Sequence, residues 1–422
     1  MLILLLVCSF GVSVLSEPFR YDNYTLYKVY PQNEDHVQFL KDLYEKTTLL
    51  DFWTAPARAG DFVSVVAPPE MREDFEHSLK KRSIHSDVML ENIQEAFDSQ
   101  IYSRRKREAN DERLFWTNYQ TREEIERWFH SLANAYPNVV TVISSGRSFE
   151  GRNLTGVRIS RGSGRRAFFL EGGQIGADWL SPTVLTYFIN ELVQSQNPEA
   201  RAASNDFDWH IFPIVNPDGH EFSQKSIRLW IKNRRPQAHV TGSPIGVDLS
   251  RNWNSQWGVF GGSFEAINNN YVGVGPFSEP ETRSVSRYIE SIRSNLVGAL
   301  SFRSFGQRLL IPLAHTSAAE GSTAYNYEQM IQIGRRAMGS LSVKYNTQYL
   351  VGTSRDVHDG STGVLMDWVK FRFNPPIAAT YHLRDTGTWG YTLPVAQVLP
   401  TCEETFDSLL AIIREAKHIN IL

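Results

Sequence analysis

The sequence has few cysteines and little net charge. Only Cys8 and Cys402 occur among 422 residues, so no disulfide can form within the chain once its N-terminal segment is removed. We interpret Cys402 as a buried apolar residue, with a reactive thiol as the alternative. The formal net charge is -3, which gives no general attraction to nucleic acid or anionic lipid. We therefore expect neither nucleic acid nor a membrane as a partner.

Long hydrophobic runs are also lacking, apart from residues 1–16. This stretch, MLILLLVCSFGVSVLS, is too short to span a bilayer and has small residues before a possible cut after Ser16. It predicts a signal peptide and a secreted, extracellular protein, with a buried N-terminal strand as the alternative. Two glycosylation sequons, at Asn23 and Asn153, are consistent with the secretory route.

Residues 24–91 alternate strand and helix patterns. The runs YTLYKVYP, LDFWT, DFVSVVAP and SDVML are strand-like, and two charged amphipathic stretches lie between them. The resulting order, β-α-β-β-α-β, predicts a small ferredoxin-like α+β domain.

Four adjacent cations follow this domain and a connecting helix. They are Arg104, Arg105, Lys106 and Arg107. Such a run repels itself and stays solvated, so it can be an exposed linker and nothing more. Between two domains of a secreted protein it also suits a processing protease that cuts at basic residues, and we predict cleavage after Arg107.

Residues 115–419 alternate helical stretches with apolar strand-like runs. The alternation predicts an α/β domain with a mixed, mainly parallel sheet and helices on both faces. Within it, Ser181 is predicted to cap a helix that has Pro182 in its first turn. Ligands of such domains bind at the carboxyl ends of the strands. The loops that follow the strands are therefore the candidate site.

Seven motifs point to a known family. They are LDFWTAP, EGGQIGADWLSP, FPIVNPDGHEFS, LWIKNRRP, GVDLSRNWN, FSEPETRSV and YHLRDTGTWGY. In this order they resemble a secreted zinc carboxypeptidase of the A/B type, made as a proenzyme, over nearly the whole chain. The resemblance implies a signal peptide over residues 1–16, an activation domain with its basic linker over 17–107, and a carboxypeptidase-like domain over 108–422.

The resemblance also implies that the zinc ligands are replaced. The family holds zinc with two histidines and one glutamate, and carboxypeptidase A is itself a standard example of such a site. The corresponding positions here are Ile175, Asp178 and Arg303. Isoleucine has no donor atom and a guanidinium has no lone pair to offer. Zinc about 4 Å from Arg303 would be repelled by about 8 kcal/mol at an effective dielectric of about 20. We therefore expect no zinc and no other cofactor.

The catalytic positions of the family are altered as well. The general base is replaced by His382, and the arginine that stabilises the oxyanion is replaced by Ile231. Histidine can act as a base near neutral pH, but it cannot replace the Lewis acid that activates water. A hydrogen-bonded structural role is the other interpretation of His382.

Four positions of the family's substrate pocket can be traced. Ser250 and Arg251 stand where the family grips the terminal carboxylate, Asp359 replaces the tyrosine over the site, and Met366 lies at the base of the specificity pocket. Arg251 can act as a carboxylate clamp or as a structural ion-pair partner. Met366 would make the pocket apolar, or it can be a core residue.

These observations leave three hypotheses. The first is an inactive carboxypeptidase homologue that binds peptide or protein C-termini. The second is an active carboxypeptidase for apolar C-terminal residues, either through a shifted zinc ligand set that includes His358 or without metal through Asp178 and His382. The third is a partner-binding protein with a vestigial cleft. We also predict that Asp178 pairs with Arg303, with a solvated loop carboxylate as the alternative.

Overall fold

The computed structural model of the chain describes residues 17–47, 49–105, 112–237, 246–315, 324–358 and 360–422, without the side chains of 102–105 and 112–114. The strands form one sheet of four and one sheet of eight. The smaller sheet belongs to the N-terminal part of the chain, which we call the prodomain. In the described part of the chain, no helix has the length and hydropathy needed to cross a membrane.

The prodomain confirms the predicted ferredoxin-like order. Its elements are β1 (Thr25–Tyr30), α1 (Glu34–Lys46), β2 (Asp51–Phe52), β3 (Val63–Ala67), α2 (Arg72–Lys81), β4 (His85–Leu90) and the connecting helix α3 (Ile93–Arg105). The strands pair antiparallel in the order β2-β3-β1-β4. One face of this sheet packs on α1 and α2 through the buried side chains of Val65, Leu40 and Phe75, as the amphipathic pattern of the helices requires.

The larger sheet confirms the predicted mixed architecture. Its strands are β5 (Val140–Arg147), β6 (Asn153–Ile159), β7 (Ala167–Glu171), β8 (Asp208–Phe212), β9 (Leu296–Arg303), β10 (Arg308–Ile311), β11 (Leu350–Thr353) and β12 (Ile377–His382). They lie in the order β11-β10-β12-β9-β7-β8-β6-β5. The central strands β12, β9, β7 and β8 are mutually parallel, whereas β5, β6 and β10 pair antiparallel with neighbours.

Helices cover both faces of this sheet. They are α4 (Arg122–Ala135), α5 (Leu180–Gln194), α6 (Pro198–Asp206), α7 (Pro217–Lys225), α8 (Pro280–Ser291), α9 (Tyr327–Tyr345), α10 (Ser354–Val357), α11 (Leu365–Phe373) and α12 (Val398–His418). Successive β7 residues show the two faces. Phe168 and Leu170 belong to the apolar cluster under α5, α9 and α12, whereas Phe169 belongs to the cluster under α8 and α11. This alternation is what a strand buried on both sides requires.

Two local predictions can be compared with the structure. Cys402 is fully buried in α12 and unpaired, in agreement with its interpretation as an apolar residue. The prediction that Ser181 caps α5 is wrong, because the helix begins at Leu180 and already includes Ser181. The backbone N–H of Ser181 instead donates to Asp178 Oδ1 at 3.0 Å. The carboxylate therefore satisfies a backbone N–H that has no partner within the first turn of the helix.

Candidate functional site

The candidate site is a cleft of about 480 Å³ at the carboxyl ends of the central strands. Strands β7, β9 and β12 end at this edge, so the segments that follow them meet there. The prodomain lines the opposite side of the cleft with residues such as Trp53. Eight of the positions singled out from the sequence line it: Ile175, Ile231, Ser250, Arg251, Arg303, His358, Met366 and His382.

Asp178 is buried and held by four hydrogen bonds. Its Oδ1 accepts from Ser181 N at 3.0 Å and from Ser304 Oγ at 2.7 Å. Its Oδ2 accepts from Ser181 Oγ at 2.7 Å and from Ser304 N at 2.9 Å. The carboxylate therefore joins the start of α5 to the end of β9, and both of its oxygens are occupied.

The predicted ion pair between Asp178 and Arg303 is wrong. The four hydrogen bonds from Ser181 and Ser304 fix the carboxylate. Its partner at the end of β9 is therefore Ser304, the residue that follows Arg303. Arg303 Nε is buried and makes no hydrogen bond, and no carboxylate in the described ranges lies within ion-pair distance of its guanidinium. Asp178 is only 1% exposed, so the alternative of a solvated loop carboxylate is wrong too.

The side chains at the three positions where the resemblance implies zinc ligands do not fit a zinc ion. Ile175 offers hydrocarbon, Arg303 offers a protonated guanidinium, and the oxygens of Asp178 already accept four hydrogen bonds. Zinc in proteins takes neutral imidazole, thiolate or carboxylate donors, three or four together. Among the residues that the structure describes, no group of three such donors is suitably arranged.

Four apolar residues, Ile175, Leu229, Phe305 and Tyr391, line the cleft, and we call them, together with the buried Ala177, the apolar floor. These residues share one hydrophobic cluster with prodomain residues, among them Tyr21, Trp53 and Phe97. The Trp53 ring lies 5.4 Å from the Tyr391 ring and 6.2 Å from the Phe305 ring, both in edge-to-face geometry, which aromatic pairs prefer. The floor is therefore covered by the prodomain.

Polar contacts reinforce this cover. Arg228 is buried and donates to the carbonyl oxygens of Ala177 and Tyr391, each at 2.8 Å, and to Gln100 Oε1 of the prodomain at 3.2 Å. Its guanidinium also lies 3.5 Å from the centre of the Trp179 ring. At the other end of the cleft, Arg58 of the prodomain donates to a main-chain carbonyl of α10.

A second group of residues is basic, and we call it the cationic wall: Arg251, Arg303, His358 and His382, which line the cleft, and the buried Arg308. Three of its members are neighbours in register across three strands. Arg303 of β9 pairs with His382 of β12, which pairs with Arg308 of β10. Residues paired in register project from the same face of a sheet, about 4.8 Å apart between strands. The sheet therefore places these three side chains in one row.

The two histidines of the wall are in contact. Their ring centres are 4.6 Å apart. His358 Nδ1 lies 3.1 Å from Arg308 Nη1, and because a guanidinium can only donate, this nitrogen accepts and the ring proton is on Nε2. Burial, together with the positive charges of Arg308, Arg251 and Arg303, lowers the pKa of His358 well below its usual range. His358 is therefore neutral at physiological pH.

His382 makes a structural hydrogen bond. Its Nδ1 is 3.1 Å from the carbonyl oxygen of Phe305. A carbonyl can only accept, so Nδ1 carries a proton. The ring is mostly buried, which agrees with the hydrogen-bonded interpretation.

The predicted substrate residues form a linked group. Arg251 Nε donates to Asp248 Oδ2 at 3.1 Å, and Ser250 N donates to Asp248 Oδ1 at 2.9 Å. Arg251 therefore takes part in an ion pair while it lines the cleft. Met366 is 2% exposed and packs in the core cluster with Trp368, so it is both a core residue and a wall of the pocket. Asp359 lies outside the described residues.

The processing and glycosylation positions are only partly described. Arg104 and Arg105 end helix α3, and Lys106 and Arg107 lie outside the described residues. The side chains of Asn23 and Asn153 are exposed, as acceptors of a glycan must be. Cleavage, glycosylation and secretion remain predictions.

Sequence reasoning missed three residues of the site. Asp248 orients Arg251, Ser304 holds Asp178, and Arg308 contacts His358. A signal existed for Arg308, because an arginine inside the apolar run RLLI is unusual in a buried strand. The spacing of Asp178 and Ser181 was a second signal, since it matches a carboxylate that accepts from the first turn of a helix.

Comparisons with known proteins agree with this architecture. The family model described as "Zinc carboxypeptidase" matches residues 125–408, and the model described as "Carboxypeptidase activation peptide" matches residues 27–100. Zinc carboxypeptidase A 1 of Anopheles gambiae is 35% identical over 95% of this chain and 91% of its own length. Carboxypeptidase O of Homo sapiens is 34% identical over 71% of this chain and 80% of its own length.

Solved structures give the same result. The carboxypeptidase A from Helicoverpa armigera is 26% identical, with a TM-score of 0.84 over 95% of this chain and 99% of that one. Thrombin activatable fibrinolysis inhibitor shares the fold with a TM-score of 0.85, at 23% identity, over 94% of this chain and 99% of that one. The chain therefore belongs to the zinc carboxypeptidase family and carries the activation peptide of that family at its N-terminal side.

Proposed function

We propose that this chain is a catalytically inactive member of the zinc carboxypeptidase family that binds peptide C-termini in its cleft. The inactivity is supported by the chemistry of Ile175, Asp178 and Arg303, which stand where the resemblance implies the zinc ligands. A hydrocarbon, a guanidinium and a carboxylate with four hydrogen bonds stand there. None of these three side chains therefore has a free lone pair with which to bind a zinc ion.

The remaining machinery supports the same proposal. Ile231 lines the cleft where the resemblance implies an arginine that stabilises the oxyanion, so a preorganised positive charge is missing from that position. His382 has its Nδ1 committed to the carbonyl oxygen of Phe305. A base without a Lewis acid leaves the attacking water at its bulk pKa. Peptide hydrolysis would then lack its usual sources of rate acceleration.

The second half of the proposal rests on Arg251. It lines the same cleft as Met366, and its ion pair with Asp248 holds the guanidinium in place. A guanidinium next to an apolar wall suits the α-carboxylate and the apolar side chain of a C-terminal residue. Binding of this kind does not require zinc.

An active metallocarboxypeptidase that removes apolar C-terminal residues is the second candidate. The observation that favours it is the closeness of His358 and His382, whose rings are 4.6 Å apart and which could supply two nitrogen ligands. Against it, the Nδ1 of His358 contacts Arg308, and the positive charges around His358 would repel a divalent ion.

A peptide titration separates the candidates. A labelled peptide with an apolar C-terminal residue is titrated into the intact chain and into the chain cut after Arg107, because prodomain residues line the same cleft. The controls are the same peptide with an amidated C-terminus, and Arg201→Gln, which changes an exposed arginine elsewhere.

We expect amidation and Arg251→Gln each to weaken binding by about tenfold or more, which corresponds to about 1.4 kcal/mol, and Arg201→Gln to have no effect. Release of the terminal residue that a chelator stops would instead establish the active enzyme. Binding that tolerates both amidation and Arg251→Gln would mean that the cleft is vestigial.

A further inference from the structure

A second charged surface lies at the edge of the large sheet that is opposite to the cleft. The cleft is at the carboxyl ends of the parallel central strands, whereas the loop of residues 160–166 enters β7 at its amino end. The backbone N–H of Asp208, the first residue of β8, donates to the carbonyl oxygen of Arg166 at 2.9 Å. This loop, with the sequence SRGSGRR, is therefore joined to the amino-end edge of the sheet.

Five cations meet at this edge, and we call them the basic edge: Arg158, Arg161, Arg165, Arg166 and Lys417. Four of them contact the short segment of residues 204–208. Arg161 Nε donates to Ser204 Oγ at 2.9 Å, and Arg158 Nη2 donates to Asp208 Oδ2 at 2.6 Å. The end of β6 and the loop that follows it are thus held against the segment between α6 and β8.

The other contacts of the basic edge surround one ring and one loop carbonyl. The guanidinium of Arg166 lies 5.1 Å from the centre of the Phe207 ring, and the ammonium group of Lys417 lies 5.5 Å from the same centre. Arg165 Nη2 donates to the carbonyl oxygen of Arg161 at 3.0 Å. Cations from β6, from the loop and from the last turn of α12 are therefore neighbours in space.

The nearby carboxylates neutralise only part of this charge. Arg158 pairs with Asp208, and Lys417 pairs with Asp206. The three other cations instead contact a hydroxyl, a carbonyl oxygen and an aromatic ring, without a carboxylate at ion-pair distance in the described ranges. Charges more than about 8 Å away are largely screened at physiological ionic strength. The local excess of positive charge therefore acts on a ligand although the net charge of the chain is -3.

The basic edge offers charge without exposed rings or hydrocarbon. Ile159 and Phe207 are fully buried, and the loop of residues 160–166 contains only glycine, serine and arginine. Single-stranded nucleic acid is bound largely by exposed aromatic rings that stack on its bases. A membrane surface is bound by apolar side chains that enter the bilayer. This surface therefore suits a polyanion that is recognised through its charged groups alone.

We propose that the basic edge binds a sulfated polysaccharide. A guanidinium presents two parallel N–H groups that match two oxygens of one anionic group, and a sulfated chain can bring successive groups to Arg161, Arg165 and Arg166. The signal peptide predicted from residues 1–16 would deliver the chain to the compartment that contains such polysaccharides. None of the five cations lines the cleft, so the surface does not depend on the proposed peptide binding.

The test is a titration of the full chain with fluorescently labelled heparin, a densely sulfated polysaccharide, at about 0.15 M salt. The test variant combines Arg165→Gln with Arg166→Gln. The matched control combines Arg127→Gln with Arg372→Gln, which removes two exposed arginines from α4 and α11. Desulfated heparin and a single-stranded DNA of the same total charge are titrated in parallel. Thermal unfolding of each variant shows that it is folded before titration.

We expect the unaltered chain to bind heparin and not its desulfated form. The test variant should weaken binding by about tenfold or more and reduce the slope of log affinity against log salt by about one for each charge removed. The control should change affinity by less than about twofold.

Failure of heparin to bind, equal binding of the desulfated form, or equal weakening by both double variants would overturn the proposal. Tighter binding of the DNA would overturn it as well and would assign the surface to nucleic acid. Because the peptide contact is assigned to Arg251 in the cleft, loss of peptide binding with retained heparin binding would refute only the proposed function.

Discussion

The apolar floor and the cationic wall of the cleft give two different environments to positions where the resemblance implies a metal site. On the floor, Ile175 stands where the resemblance implies a zinc ligand and packs in a cluster with aromatic side chains of the prodomain. On the wall, Arg303 also stands where the resemblance implies a ligand, and it has no ion-pair partner within the described residues. A hydrocarbon is stabilised by any close apolar cover, whereas a guanidinium requires a counter-charge. The floor is therefore covered within the chain, whereas the guanidinium of Arg303 has no carboxylate partner among the described residues.

The largest expected effect concerns the cover of the floor. Trp53 is 8% exposed and contacts Phe305 and Tyr391. Trp53→Ala should lower the free energy of unfolding by about 4 kcal/mol, because a large buried aromatic side chain is lost and a cavity remains. Urea denaturation of the full chain measures this. Phe371→Ala is the control, because Phe371 is 82% exposed and its loss should cost less than about 0.5 kcal/mol. Equal effects of the two variants would show that the prodomain does not seal the floor.

The next effect concerns the carboxylate between floor and wall. Asp178→Ala should destabilise the chain by about 3 kcal/mol, because the buried donors of Ser181 and Ser304 lose their acceptor. Asp178→Asn keeps one oxygen and should cost less. Thermal unfolding is measured with and without a strong chelator. A chelator that lowers the melting temperature of the unaltered chain, but not that of Asp178→Ala, would make Asp178 a metal ligand instead of a structural acceptor.

Glu171 gives a pH-dependent test of the same region. Burial raises its pKa from 4.5 to about 7, so above pH 4.5 the folded chain keeps a proton that the unfolded chain releases. Stability from this group is therefore lost as pH rises through the range between 4.5 and 7. Glu171→Gln cannot titrate, so its stability relative to the unaltered chain should rise by about 2 to 3 kcal/mol between pH 4.5 and pH 8. Urea denaturation across this range checks it.

The control for this experiment is Glu265→Gln, which changes an exposed carboxylate. This variant shows how the loss of a surface carboxylate by itself changes the urea denaturation curves. A flat difference for Glu171→Gln would show that Glu171 is charged in the folded chain and offsets Arg303 directly.

The smallest effect concerns the wall itself. In a chloride buffer, Arg303→Leu should stabilise the chain by about 1 kcal/mol, because replacing a partly buried charge that has no carboxylate partner with a hydrocarbon removes its desolvation cost. Melting temperatures of the two chains in this buffer measure the difference. A destabilised Arg303→Leu in the chloride buffer would mean that the guanidinium is already compensated within the protein.

Much of the fold could be predicted from the sequence. The period of two in the strands and the amphipathic period in α1 and α12 are local signals, and the structure confirms the β-α-β-β-α-β order of the prodomain and the mixed sheet. The alignment of motifs also located Arg303 and His382 at neighbouring strand ends. These inferences succeed because they depend on patterns within single segments and on the order of those segments.

The contacts between segments could not be predicted. Asp178 was assigned to Arg303 on charge alone, whereas β9 places the backbone N–H and hydroxyl of Ser304 in front of the carboxylate. The position of Arg308 depends on the register of β10 against β12, which the sequence does not specify. The contacts of Trp53 with Phe305 and Tyr391 join residues more than a hundred positions apart. Such pairings follow from tertiary packing and not from local propensity.

The central claim is that this cleft has exchanged a metal site for a basic one, and zinc stoichiometry tests it most directly. The full chain is dialysed against excess zinc and then against metal-free buffer, and zinc per chain is measured by elemental analysis. The ligand chemistry at Ile175, Asp178 and Arg303 predicts a ratio near zero. A ratio near one that disappears in Asp178→Ala would contradict the claim and restore peptide hydrolysis as the function.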